Sequence, residues 1–206
     1  MSYQAYDTEG FILGSRELGE ADMFLSVYTK DFGSVRLLAK GIRFEKSKLR
    51  GQVQLFTRAQ VQFVIGRELW RLTDARLAHV FQMLEKDLFR FQAASAIARF
   101  CKEIVSGSER DPALWQLLEE VFAALDSAGI PASGIPRLLY MFQIKAFQVL
   151  GYLPETCPEI VRSLGLEPFE NSRPPLTLSE RRELDTFLSS VFTYAASPDT
   201  HASLVP

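Results

Sequence analysis

The sequence predicts a multidomain α and β chain, with an N-terminal OB-fold β-barrel followed by an all-α helical domain. Three observations carry this. Short apolar runs of period two crowd the first 80 residues, and the period turns helical beyond Val80. The third is size: 206 residues with 47% apolar and 23% charged side chains suffice for one large packed domain or two small ones. The domains are expected at residues 1–80 and 81–206.

The clearest strand pattern is Val53–Ile65. Val53, Leu55, Thr57, Ala59, Val61, Phe63 and Ile65 fall on one face, and Gln54, Arg58, Gln60 and Gln62 on the other; a run this long anticipates a bulge or bend. Upstream, Phe11–Arg16, Met23–Thr29 and Val35–Ala39 are shorter strand candidates, separated by turn signals at Gly19-Glu20 and Asp31-Phe32-Gly33. Leu69–Thr73 follows Gly66 as a fifth. Five short strands within about 75 residues fit a small antiparallel barrel, and the OB fold has the right size.

Helical stripes follow. Ile97, Phe100, Cys101, Ile104 and Val105 recur at core-facing spacing, as do Leu114, Leu118, Val121, Phe122 and Leu125 behind an Asp111-Pro112 start signal. Leu139, Phe142, Ala146, Val149 and Leu150 form a third stripe ended by Gly151. Leu184, Phe187, Leu188, Val191 and Ala195 form a fourth, opened by the capping box Thr177-Leu178-Ser179-Glu180. Gly165–Pro175 reads as an irregular connector, and His201 falls in a terminal tail.

Several function classes find no support. No apolar run approaches the roughly 18 residues of a spanning helix, and the opening MSYQAYDTEG carries no signal-peptide pattern, so a cytoplasmic protein is expected. Phosphate-loop, dinucleotide and nucleophile-elbow motifs are absent. His79 lacks a partner at ligand spacing, Cys101 sits on an apolar stripe, and Cys157 has no activating neighbour. Glu119 and Glu120 are adjacent on a helix and diverge, so a solvated face suits them better than acid–base chemistry. No enzyme, metal or cofactor is expected.

Charge supplies the one chemical direction. The net charge of −2 conceals a division: residues 1–80 hold 12 Lys/Arg against 9 Asp/Glu, and residues 81–206 hold 11 against 16. Between Arg36 and Arg50 stand six basic residues opposed only by Glu45. The stretch Ala39–Gly51 links two barrel strands. Its Lys40, Arg43, Lys46, Lys48 and Arg50 suit phosphates, Phe44 suits an unpaired base, and Gly41 and Gly51 would let it bend at both ends. Arg58, with Gln60 and Gln62, would extend a groove along the long strand. The competing readings are a solvated, mobile loop and a wet outer strand face. Trp70 and Phe56 read as core rather than base platforms.

The segments Glu9-Gly10-Phe11-Ile12-Leu13, Leu18-Gly19-Glu20-Ala21-Asp22, Tyr28-Thr29 and Phe32-Gly33 are followed by Ala39-Lys40-Gly41-x-Arg43, Lys46-Ser47-Lys48-Leu49-Arg50-Gly51 and Gln54-x-Phe56-Thr57. In that order and spacing they resemble RecO, the bacterial recombination mediators of DNA repair. Phe142-Gln143-Ile144 leading to Leu150-Gly151-Tyr152 is similar to that family's segment at the end of a central helix. The resemblance implies an OB fold, a helical domain, and non-catalytic binding of single- and double-stranded DNA. It also implies annealing of strands coated by single-stranded DNA-binding protein (SSB), and work with RecR to help RecA load, in a cytoplasmic, nucleoid-associated setting.

Carried onto this chain, the expected DNA contacts are Lys40, Arg43, Lys46, Lys48 and Arg50, to which the loop and strand chemistry above adds Phe44 and Arg58. The family docks the acidic, apolar-ended SSB tail on its helical domain. Leu114, Trp115 and Phe142, with Arg137 and Lys145, are the residues that would supply such a pocket, core packing being the competing reading of the apolar three. Two departures stand out. Many members carry a four-cysteine zinc module after Leu-Gly-Tyr, where this chain has Cys157 alone, and Leu55 stands where proline is common. The alternative to a DNA-binding mediator is a protein-interaction adaptor whose OB barrel no longer binds DNA. A third possibility is a metal-dependent nuclease, which would need convergent carboxylates.

Overall fold

The structure, a computed structural model, describes residues 4–66, 69–105, 107–169 and 174–197. His201 and residues 170–173 of the Gly165–Pro175 connector lie outside these. The chain divides into two compact units, residues 1–81 with 107–115, and residues 82–106 with 116–206.

The first unit is built on five strands: β1 (Ala5–Leu18), β2 (Asp22–Thr29), β3 (Gly33–Ala39), β4 (Thr57–Ile65) and β5 (Trp70–Val80). They close into a barrel in the order β1-β2-β3-β5-β4, with β3 and β5 parallel and the other pairs antiparallel. β1, with 14 residues, is long enough to serve two partners: Ala5–Phe11 pairs with β4 and Gly10–Leu18 with β2. A surplus residue, Leu13, shifts the β1–β2 ladder.

Period-two alternation fills the interior with Ile12, Leu25, Val27, Val35, Leu37, Ala59, Val61, Phe63 and Leu72. Trp70 stacks on Phe63 with ring centroids 5.2 Å apart, so it packs on the core as its composition suggested.

Three strands differ clearly from expectation: β1 starts at Ala5 instead of Phe11, and β4 and β5 also have other ends. β4 begins at Thr57, not Val53, because Phe56 adopts a left-handed φ of 57° that ends extended backbone there. Its amide donates to the Ile12 carbonyl at 2.8 Å and its ring is buried, while Leu55 turns outward. β5 runs on to Val80, past the expected end at Thr73. Its ladder with β4 slips twice, and the surplus residues Thr73 and Ala78 lie on β5. The bulge expected in the long strand therefore sits in its partner. It also puts buried Leu72 and Ala75 three residues apart, which hides the period from a sequence reading.

Residues 107–115 belong to the barrel unit. The Tyr28 hydroxyl donates to the Asp111 carbonyl at 3.4 Å, and Phe11 packs against Trp115 at 5.0 Å and Phe81 at 6.2 Å. Gly33 has a φ of 57°, and the backbone of Glu109 lies where a Cβ would stand.

The second unit is helical: α1 (Gln82–Lys86), α2 (Leu88–Ile104), the rest of α3 (Pro112–Asp126) beyond its first turn, α4 (Ile135–Val149), α5 (Glu159–Leu166) and α6 (Leu178–Ala195). The expected starts are present. Asp111 Oδ1 accepts from the Ala113 and Leu114 amides at 3.0 and 2.9 Å, and Thr177 and Glu180 form the reciprocal capping box. Gly151, at φ 75°, follows α4 as a C-terminal stop.

The α4 stripe needs correction. Leu138, Met141, Phe142, Ala146 and Phe147 are buried, whereas Leu139 is half-buried and Val149 exposed, so the helix turns a neighbouring face inward. α5, which takes in Gly165 of the expected connector, was not legible in its eight residues. Phe100 sits edge-on to Phe142 at 5.4 Å and Phe147 at 5.0 Å in the core. Buried Arg90 donates to the carbonyls of Leu125 and Ile130, tying α2 to the end of α3. No described helix is long and apolar enough to cross a membrane.

Candidate nucleic-acid interface

The chain between β3 and β4 is rich in cations but is not a loose loop. Ile42 and Phe56 are buried, and Leu49 and Val53 pack on the barrel core, so apolar residues spaced through the segment hold it down. Successive turns stiffen it: the amides of Ser47, Arg50 and Gln52 donate to the carbonyls of Phe44, Ser47 and Leu49 at 3.0, 3.3 and 3.0 Å. Gly41 reverses the chain with a φ of 65°, and its amide donates to Asp22 Oδ1 at 2.7 Å. The next anchor is the Arg43 amide on the Ala21 carbonyl at 3.0 Å. Gln52 Oε1 accepts from the Leu77 amide at 3.0 Å. Of the two hinge glycines expected, Gly41 has the left-handed backbone; Gly51 does not.

Anchoring the apolar residues turns the cations outward. Lys40, Arg43, Lys46, Lys48 and Arg50 are all exposed, and Phe44 is 63% exposed. Arg43 is partly engaged, with Glu17 Oε2 at 3.1 Å and the Gly19 carbonyl at 3.3 Å. Among the described residues Lys40, Lys46, Lys48 and Arg50 form no ion pair. Chemically this is a row of unneutralised charge on a pre-ordered backbone, so an anion would meet it with little ordering entropy left to lose.

Arg58 stands apart. It is half-buried on β4 with Nε 2.8 Å from Glu9 Oε1, and Gln60 and Gln62 both donate to Asp7, the latter at 2.8 Å. Carboxylates thus occupy the polar face along which a groove was expected to extend, so Arg58 does not continue the cationic row.

The residues expected to dock an acidic tail are not gathered at a surface. Leu114 and Trp115 belong to the barrel unit and are buried, while Phe142 lies in the helical core, so all three serve packing. Arg137 is held in a bidentate pair by Glu167, with Nη2 2.9 and 2.7 Å from the two carboxylate oxygens. Lys145 Nζ stands 5.3 Å from the Phe169 ring centroid. That ring lines a groove of about 690 Å3 with Glu120, Ala123, Ala124, Ile130 and Pro168. The sequence reading missed this groove because Pro168 and Phe169 fall in the proline-rich stretch, where no periodicity marks a packed residue.

Three titratable groups sit in packing or hydrogen bonds. Burial pushes the Cys101 thiol up to about 12, and His79 packs edge-on against Phe81 at 4.6 Å. The Tyr140 hydroxyl donates to Asp185 Oδ1 at 2.6 Å; burial and that carboxylate push it up to about 12. Among the described residues no three His, Cys, Asp or Glu side chains are grouped to hold a metal ion.

Fold and surface define a class: a two-unit protein whose OB barrel carries an ordered cationic loop and whose second unit is a helical bundle. Residues 1–81 match the family described as recombination protein O N terminal, and residues 85–190 match the one described as recombination protein O C terminal. The chain belongs to the RecO family. It is 27% identical over 150 residues to DNA repair protein RecO of Halalkalibacterium halodurans, a match covering 73% of this chain and 58% of that one. DNA repair protein RecO of Pelotomaculum thermopropionicum is 31% identical over 149 residues, covering 72% and 56%. That of Thermobifida fusca is 31% identical over 150 residues, covering 72% and 61%. The chain spans less than two thirds of the length of these relatives.

Proposed function

We propose that this chain is a DNA repair and recombination mediator that binds single- and double-stranded DNA through the β3–β4 loop. The observation that carries this is the row Lys40, Lys46, Lys48 and Arg50, exposed and free of carboxylate partners among the described residues on a loop pinned at four apolar points. Phosphate contacts of this kind hold a strand without covering its bases. Two strands so held remain able to find complementary sequence, which is the chemistry of annealing. In this reading the protein works on strands coated by SSB and assists RecA loading with RecR in the cytoplasm, at the nucleoid, without catalysing a reaction.

The helical unit recruits partners. The apolar end of an SSB tail suits the groove beside Phe169; Lys145, over the same ring, is the nearby cation for its acidic part, and Glu120 in the lining sets where that part cannot lie.

The test is fluorescence anisotropy of a labelled single-stranded oligonucleotide across a salt titration, with wild type beside the Lys46→Ala/Lys48→Ala/Arg50→Ala triple variant. Each phosphate contact on a single strand contributes about 0.7 to the log–log salt slope, so the variant's slope should be flatter by about 2. Identical curves would move the site off the loop. No binding by wild type would favour the adaptor reading, in which the barrel no longer takes DNA.

A further inference from the structure

Two of the cations expected to meet nucleic acid are already paired, and the two pairs differ in kind. Arg58 and Glu9 shield each other across β4 and β1, with side chains 28% and 25% exposed. Arg43 meets Glu17 in the open: Nη1 stands 3.1 Å from Oε2, and the carboxylate side chain is 66% exposed. An ion pair this wet contributes little and exchanges partners readily.

The backbone around it is fixed. Glu17 lies near the end of β1, opposite Met23 across the hairpin that joins β1 to β2. That hairpin holds the start of the loop, with the Arg43 amide on the Ala21 carbonyl and the Gly41 amide on Asp22 Oδ1. The Arg43 side chain therefore pivots from a fixed point. Its Nη1 carries both described contacts, to Glu17 and to the Gly19 carbonyl at 3.3 Å. Nε and Nη2 have no partner among the described residues, so a second anion has an edge of the guanidinium to approach before the first one leaves. Among the described residues Lys40, Lys46, Lys48 and Arg50 have no such built-in counter-charge.

We propose that Glu17 is an intramolecular competitor for the strand: its carboxylate holds Arg43 in the free protein, yields it to a backbone phosphate on binding, and retakes it as the strand departs. The inference rests on the reading of the loop as the nucleic-acid contact and adds how that contact is released. A protein that brings two strands together must let go once they pair. A carboxylate tethered beside the guanidinium stays at high effective concentration, so it recaptures Arg43 more readily than anions from solution do.

The experiment measures anisotropy of a labelled single-stranded oligonucleotide at an ionic strength of about 0.15 M, where charges are screened beyond about 8 Å. Glu17→Gln keeps the size of the side chain and removes its charge. It should tighten binding about 2- to 5-fold through slower dissociation, read by chasing with unlabelled strand, and steepen the salt slope by up to about 0.7. Glu20→Gln removes an equal charge from the same hairpin, where Glu20 is exposed and forms no ion pair among the described residues. It should change affinity by less than about 1.5-fold. In an Arg43→Ala background Glu17→Gln should have no effect, because the coupling runs through that guanidinium.

The competitor role is overturned if Glu17→Gln leaves affinity unchanged or weakens it, or if Glu20→Gln tightens binding equally. A gain confined to the association rate, or one that persists without Arg43, overturns it too. In each of these cases the loop reading stands provided the Lys46→Ala/Lys48→Ala/Arg50→Ala variant still flattens the slope. If wild type binds no strand, the loop reading falls and the competitor with it.

Discussion

Replacing Gly33 by alanine adds one methyl group at a position with two separate objections to it. The first is the backbone. At φ 57° a Cβ crowds the following carbonyl, which costs about 1–2 kcal/mol for an L-residue. The second is space. The new Cβ would fall within bonding-scale approach of the Glu109 carbonyl oxygen, with the Glu109 carbonyl carbon at 3.1 Å and amide nitrogen at 3.2 Å. These are main-chain atoms and cannot rotate aside, so the segment 107–115 must shift, a strain of about 1–3 kcal/mol by analogy with overpacked cores. Alanine's smaller unfolded-state entropy returns about 0.4–1 kcal/mol.

Gly19→Ala is the internal control. Its φ is 60°, but nothing lies within 4 Å of the added methyl, so it meets the backbone term alone. The difference between the two variants therefore isolates the packing of residues 107–115 on the barrel, at about 1–3 kcal/mol. Both tryptophans, Trp70 and Trp115, lie in the barrel unit, so intrinsic fluorescence during urea unfolding reports this unit in particular. With a slope of about 2 kcal/mol per molar urea, Gly33→Ala should unfold about 0.5–1.5 M earlier than Gly19→Ala. Equal midpoints for the two variants would refute the reasoning, because the strand-side contact of residues 107–115 would then carry no energy.

Three further outcomes are expected. Arg90→Met leaves the Leu125 and Ile130 carbonyls without their buried donor and should destabilise the helical unit by about 2–5 kcal/mol, read by loss of helical circular dichroism in denaturant; a change under about 0.5 kcal/mol would show that water replaces the guanidinium. A thiol reagent should label half-exposed Cys157 in the folded protein and reach Cys101 only after denaturation, since Cys101 is buried and its thiol is held up to about 12; labelling of Cys101 at the Cys157 rate would contradict the packed core.

Tyr140, held up to about 12 by burial and Asp185, should be among the last phenols to ionise. Because the folded value lies above the ordinary 10.0, its contribution to stability is complete below that value and is lost as pH rises towards 12. Tyr140→Phe should remove one late component of the tyrosinate absorbance titration. An unaltered late phase would dissociate Tyr140 from Asp185.

The candidate site was legible to an uneven degree. The cations of the β3–β4 loop stand out because charge is a property of composition, and their exposure follows from four apolar residues that the same stretch supplies as anchors. Arg58 was legible as a cation but not as a neutralised one. Its Glu9 partner is 49 residues away and meets it only because β1 pairs with β4. Leu114, Trp115 and Phe142 show the reverse: an apolar side chain reads the same whether it lines a pocket or fills a core, and burial decides for the core.

Local pattern was enough for whatever depends on near neighbours. Alternation marked the barrel strands, the 3.6-residue stripe marked four helices, and Asp111, Thr177 and Gly151 marked ends whose hydrogen bonds or backbone angles involve only adjacent residues. The family resemblance too lay in ordered local segments. What depended on folding was everything set by register and by long-range closure. Phe56 stops β4 through its backbone angle, and the bulges at Thr73 and Ala78 displace the β5 period. Residues 107–115 return to the barrel unit through Tyr28, Phe11 and Gly33, contacts separated by 76 to 104 positions in the chain. A linear pattern records which face of an element is apolar; it does not record which partner covers that face, because the partner is chosen by the closure of the whole barrel.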